Sequence, residues 1–393
     1  MNTDRFKVGR RGPVVIVVLA AMLVGMLSAA GCADDVQAPA EADEPTFRPL
    51  AYMMLLDSSL VVIDVLGMRK VDKIKIGHLA VHQVAVLPDN RTVYTGNVDN
   101  DTIVKLRFSE DGTTHTTKVV GKSPVTMHFF ESSPDGKHVV VTSRHELEAV
   151  MHAPDPSHLP DDSIAIIDTT TDKIIKTLAL QSPAMPSFAN DGKYLYINNV
   201  HHASISVIET KTWTEIQRVS ILDKPLELHK DGTPRVSPDG LHVSPDGKWV
   251  VSGDYEARSI SVYEVGADGK LGTKRVVPYA SEWGMPHDVR FSADSNEVWV
   301  TDYDRLPNPA DEVGNASIVT HIRVFDIDSL EVKRKFDMPR SVGRVVLPQY
   351  SKLAYLTTAV GSLLAIERDT GKLRGEIAAG QLGNPVICGM SSY

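Results

Sequence analysis

Cysteine is almost absent from this chain: its 393 residues contain two, Cys32 and Cys388. Two cysteines exclude a disulfide framework and a Cys-rich zinc site. With no CxxCH there is no covalent c-type haem, and with no GxSxG there is no α/β-hydrolase serine elbow. Cationic excess is also missing: the formal net charge is −9, which argues against nucleic acid as a partner. Two near-motifs fail on one residue each. His145-Glu146-Leu147-Glu148-Ala149 has Ala149 where a zinc-protease helix needs its second histidine, and Gly121-Lys122-Ser123 has Thr116 where a phosphate loop needs glycine. Glycine and proline are plentiful instead, 27 and 23 residues, which suits a chain of many tight turns.

The first residues read as an address. Arg5, Lys7, Arg10 and Arg11 stand against one acid, Asp4, and an uncharged apolar run follows from Pro13 to Ala30. A charged start, an apolar stretch and small residues at its end make a secretory signal. Ser28-Ala29-Ala30-Gly31-Cys32 is similar to the cleavage site of bacterial lipoproteins, with Ala29 where leucine is usual. That resemblance implies removal of residues 1–31, lipidation of Cys32, and an exported protein held on the periplasmic or extracellular face of a bacterial membrane. Cleavage takes the net charge from −9 to −12, because four cations and one acid leave together. An acidic domain of this kind meets the membrane through its anchor and not through its own surface. Residues 32–47 are Asp-, Glu- and Pro-rich without apolar periodicity and read as an acidic flexible tether.

From residue 48 to 393 one unit recurs. A turn core is followed by a β-rich run, a polar loop, a second alternating run, a turn and a closing strand. The cores are LPDN 87–90, SPDG 133–136, ANDG 189–192, SPDG 244–247, SADS 292–295 and LPQY 347–350. Proline sets φ at the second turn position, Asp tolerates the next, and Gly takes the left-handed one, so Ser-Pro-Asp-Gly closes a hairpin. Four strands in about 45 residues make a β-propeller blade. Six cores give six blades. The N-terminal segment supplies LAYMMLL, SLVVIDV and KVDKIKIG without an inner strand, and GNPVICGMSS at 383–392 looks like that missing strand. The expectation is therefore an all-β, seven-bladed β-propeller with four-stranded blades, its ring closed by pairing of the N- and C-terminal segments in one blade.

The pattern resembles the YVTN-type β-propeller repeat family, in which SPDGK precedes a strand like VYVTN and then one like VSVID. Ser133-Pro134-Asp135-Gly136-Lys137 with HVVVTS, and Ser244-Pro245-Asp246-Gly247-Lys248 with WVVSGD, carry the likeness. It covers about residues 48–392. It implies the fold and leaves function open, because related architectures include the propellers of nitrite reductase, nitrous oxide reductase and lactonase-like proteins.

Aligned turn cores point to one end of the channel. Six residues before the second turn position stand His82, His128 and His287, with Ala184, Asp239 and Val342 in the other complete blades. Loops on the same expected face carry His145, His201 and His202. These six histidines are candidate metal ligands, and imidazole suits copper, iron or zinc. Three functions stand open. The first is a monomeric binding or scaffold module taking a small ligand or an envelope protein at this His-rich mouth. The second is a metal- or tetrapyrrole-dependent redox protein or its assembly factor. The third is a lactonase-like metal-dependent hydrolase with Asp302 or Asp304 beside the histidines.

Overall fold

The computed structural model describes residues 49–55, 57–78, 81–143, 163–222, 238–255, 257–280, 283–303, 321–339, 342–358, 361–378 and 386–388. All of them belong to the second of two compact units, Thr46–Tyr393, the first being Met1–Pro45. The expected signal, Cys32 and the tether lie outside the described residues, as do His145, Asp304 and most of the two long loops.

Seven four-stranded antiparallel sheets form the ring, the architecture the turn spacing predicts. In the first blade Leu50–Met54, Ser59–Asp64 and Arg69–Lys75 are joined by Val386–Cys388 as the inner strand. Tyr52 lies opposite Cys388 and Met54 opposite Val386, so both chain ends share one sheet, as expected. The other inner strands are Ala85–Val86, Met127–Ser132, Pro183–Phe188, Leu241–Val243, Met285–Phe291 and Val342–Val346.

Local chemistry explains the hairpins. At Ser133-Pro134-Asp135-Gly136 the serine hydroxyl donates to the Asp135 carboxylate at 2.7 Å, the Gly136 N–H donates to the Ser133 carbonyl at 2.8 Å, and Gly136 takes φ +68°. Only glycine holds that conformation without penalty. The second blade uses Asn90 at φ 52° instead. Its buried amide both accepts from Leu50 N–H at 2.8 Å and donates to the Leu50 carbonyl at 3.1 Å, which pins the first blade to the second.

Burial follows the blade order. Second and third strands are buried almost throughout, because each sheet is covered by a neighbour on both faces. Outer strands alternate, as in Lys173–Ala179, with one side wet. Inner strands of blades three, four, six and seven carry a bulge. A bulge re-aims side chains, so consecutive residues such as His128 and Phe129 lie ring against ring at 4.1 Å.

Candidate functional site

The channel wall is built in three layers, each taking one residue from the inner strand, or the segment just before it, of blades two to seven. The strand pairings set the equivalences. In blade six Arg290 faces Trp299, and in blade seven Val346 faces Tyr355, each partner being third in its strand. The last hairpin, Leu347–Lys352, is one residue longer than Ser292–Asn296, and this moves the register. The residue equivalent to His287 in blade seven is therefore Gly343, not Val342 as counting back from the turn core predicts.

The mouth layer holds His82, His128, Ala184, Asp239, His287 and Gly343. His82 and His128 come together: the His82 N–H donates to the His128 carbonyl at 2.8 Å, and their rings lie 4.1 Å apart. His128 is fully buried. His287 is engaged elsewhere. Its Nε2 meets the Asp239 carboxylate at 2.9 Å and its Nδ1 meets the Gly343 carbonyl at 3.1 Å. Both partners are hydrogen-bond acceptors, which fixes the ring between blades five and seven. Gly240 makes this contact feasible, since a Cβ there would stand 2.5 Å from the His287 carbonyl oxygen.

His201 and His202 belong to the short turn Val200–His202 between the second and third strands of blade four, where His202 is exposed. Among the described residues no group of three or more His, Cys, Asp or Glu is placed to hold a metal ion. Asp302 is buried and ion-paired with Arg323, whose guanidinium lies 4.4 Å from the Trp283 ring. That carboxylate therefore serves the blade interior. The equivalent Asp254 in blade five sits among Ser252, Ser259 and Ser261, and burial pushes its carboxyl up to about 7 against the opposing pull of these hydroxyls and the Lys274 charge.

The middle layer closes the channel. Arg344 reaches from blade seven across to blades three and four, with its guanidinium 5.3 Å from the Phe129 ring and Nη1 3.6 Å from the Met185 sulfur. The same nitrogen meets the fully buried Asp288 carboxylate at 3.3 Å, and the other oxygen of Asp288 accepts from Val345 N–H at 3.0 Å. A buried charge needs such partners.

The third layer, at the hairpin end, is Ala85, Glu131, Ser187, His242, Arg290 and Val346. Burial pushes the Glu131 carboxyl up to about 7, against the opposing pull of the Arg290 charge and a 2.8 Å hydrogen bond from Gln83. Burial, helped by Arg290, holds His242 well below the ordinary histidine range, so its ring is neutral. Phe291 N–H donates to His242 Nδ1 at 3.1 Å, which leaves the ring proton on Nε2. Arg344, Asp288, Glu131, His242 and Arg290 are absent from the sequence-based candidates. The signal was available: Glu131, His242 and Arg290 all stand three residues before the second turn position, Pro134, Pro245 and Ala293.

Together these features define a seven-bladed propeller with a channel blocked midway and polar groups at both ends. Residues 127–304 match the family model described as a lactonase, 7-bladed beta-propeller. No curated protein matches the chain. Among solved structures it is similar to a functionally unknown protein from Desulfotomaculum acetoxidans DSM 771, at 14% identity over 86% of this chain and 99% of that one, with a TM-score of 0.61. It is also similar to a chain of a mitotic checkpoint complex, at 11% identity over 77% of this chain and 82% of that one, with a TM-score of 0.55. At such identities the likeness concerns the fold alone.

Proposed function

We propose that the protein is an exported, lipid-anchored binding module of the cell envelope that takes its ligand at the channel mouth. One observation carries this reading: imidazoles and a carboxylate from blades two, three, five and six gather at one end of the channel, above the Arg344 barrier. Convergent polar groups near a channel end favour ligand binding. Secretory and lipoprotein features of residues 1–32 support the location.

A second reading, a lactonase-like metal-dependent hydrolase, is favoured by the family match over residues 127–304. In that case the Asp239–His287 pair would supply an oriented base. The two readings separate on full-length protein purified from its native host without added metal. A binding module is expected to carry a co-purifying small molecule or protein that is lost in His82→Ala and His287→Ala. Divalent-ion-dependent hydrolysis of γ- and δ-lactones would move the assignment to the hydrolase. Stoichiometric copper, iron or zinc by elemental analysis, with colour, would move it to a redox centre.

A further inference from the structure

The hairpin end of the channel encloses a second recess, independent of the mouth. It has a volume of about 230 Å³ and is lined in part by Gln83, Glu131, His242 and Arg290. That is smaller than the roughly 300–1,000 Å³ of sites for drug-sized ligands. Its lining is mixed: Val86, Phe188, Phe291 and Leu347 supply an apolar part beside the more extensive polar surface of Ser132, Ser187, Ser244 and Gln349. Turn residues Pro134, Asn190 and Pro245 rim it, which sets it at the face opposite the histidine mouth.

Its ionisable lining groups are Arg290, Glu131 and the neutral His242, and burial favours the protonated, uncharged form of Glu131. Arg290 is partly exposed and its Nε stands 3.6 Å from Asp288, whose carboxylate is already shared with Arg344 and the Val345 N–H. Two guanidinium groups thus flank one carboxylate. The neutral His242 offers its Nε2–H. We propose that this recess binds a small organic monocarboxylate, its carboxylate on Arg290 and the His242 Nε2–H, its apolar body against Phe188, Phe291 and Leu347.

Glu131 couples the site to pH. The charged and titratable groups around it are Arg290 and His242 in the recess and the Asp288–Arg344 pair in the layer above. An entering carboxylate repels the Glu131 anion and favours its protonated form. Above the Glu131 value of about 7, each carboxylate bound takes up one proton from solvent. Affinity then falls as pH rises, by roughly tenfold per pH unit at the limit of one proton per ligand.

The test is calorimetric titration of the full-length mature protein with butyrate, with butyramide as the neutral isostere and with inorganic phosphate, at pH 6 and pH 8.5 in two buffers of different ionisation heat. Butyrate is expected to bind at least about tenfold more tightly than butyramide or phosphate. Arg290→Gln is expected to lose roughly tenfold to a hundredfold of butyrate affinity. Glu131→Gln mimics the protonated acid, so it should keep binding, abolish proton uptake and remove the loss at pH 8.5. This second variant guards against misfolding of the first. Equal binding of butyrate and butyramide overturns the proposal, as do tighter binding of phosphate, no binding of butyrate at 10 mM (about its weakest useful affinity), or proton uptake that survives Glu131→Gln. None of these outcomes bears on the mouth.

Discussion

At the mouth, charge is held in a closed pair; at the hairpin end it is held open. His287 and Asp239 satisfy one another, with Gly343 completing the ring nitrogens. Arg290 and Glu131 line the same recess, yet no ion pair joins them, and burial leaves Glu131 poised near neutrality. Both ends draw on the same six blades, one on residues at the bulges and the other on residues beside the hairpins, which is how one repeated scaffold comes to carry two unlike sites. Arg344 keeps the ends apart, and its removal should disturb the comparison most. Arg344→Ala leaves Asp288 charged and buried and is expected to destabilise by about 3–5 kcal/mol in urea unfolding. The double variant Arg344→Met, Asp288→Asn should recover most of that loss; equal destabilisation of both would mean that shape and not charge maintains the barrier.

The next largest effect belongs to the hairpin end. The Glu131 carboxyl stands at about 7 in the fold, against roughly 4.3 in an unfolded chain. The folded state holds the extra proton between those values, so stability falls as pH rises through that window. Glu131→Gln removes the fall. It should match the parent at pH 4 and exceed it by up to about 3–4 kcal/mol at pH 8, read from urea midpoints. At the mouth, His287→Ala strands a partly exposed carboxylate, and a loss of about 1 kcal/mol is expected. A loss above about 3 kcal/mol would make the mouth pair as rigid a fixture as the middle layer. Away from the channel, Lys137 pairs with Asp135 on an exposed turn at 3.2 Å. Lys137→Ala should change stability by less than about 0.5 kcal/mol, which sets the background for the other three.

The fold was readable because its determinants are local and repeated. Turn cores such as Ser244-Pro245-Asp246-Gly247 specify a hairpin from four neighbouring residues, and alternation tells which runs are strands. Turn counting also brought His82 and His128 to equivalent positions in adjacent blades, where they touch. The remainder of the site depended on events that no local pattern reports. One extra residue in the last hairpin shifts Gly343 and Arg344 by a position. Bulges let neighbouring residues escape strict alternation. The span of Arg344 to Met185 joins residues 159 apart in sequence. The pair of VSPDG runs misleads for the same reason: the second, 243–247, is a hairpin, whereas Asp239 and Gly240 of the first lead into the inner strand of blade five.

The closing strand has a bearing on how the molecule is made. On their inner side Tyr52, Met53 and Met54 pair with Cys388, Ile387 and Val386. During synthesis the first blade must wait, its inner edge bare, until residues 386–388 have been made. An unpaired strand edge is a template for any other strand that meets it, and closing so long a loop is slow. The ring is thus sealed by a strand from the far end of the chain, so the first blade is complete only once the sequence of every intervening blade has been made.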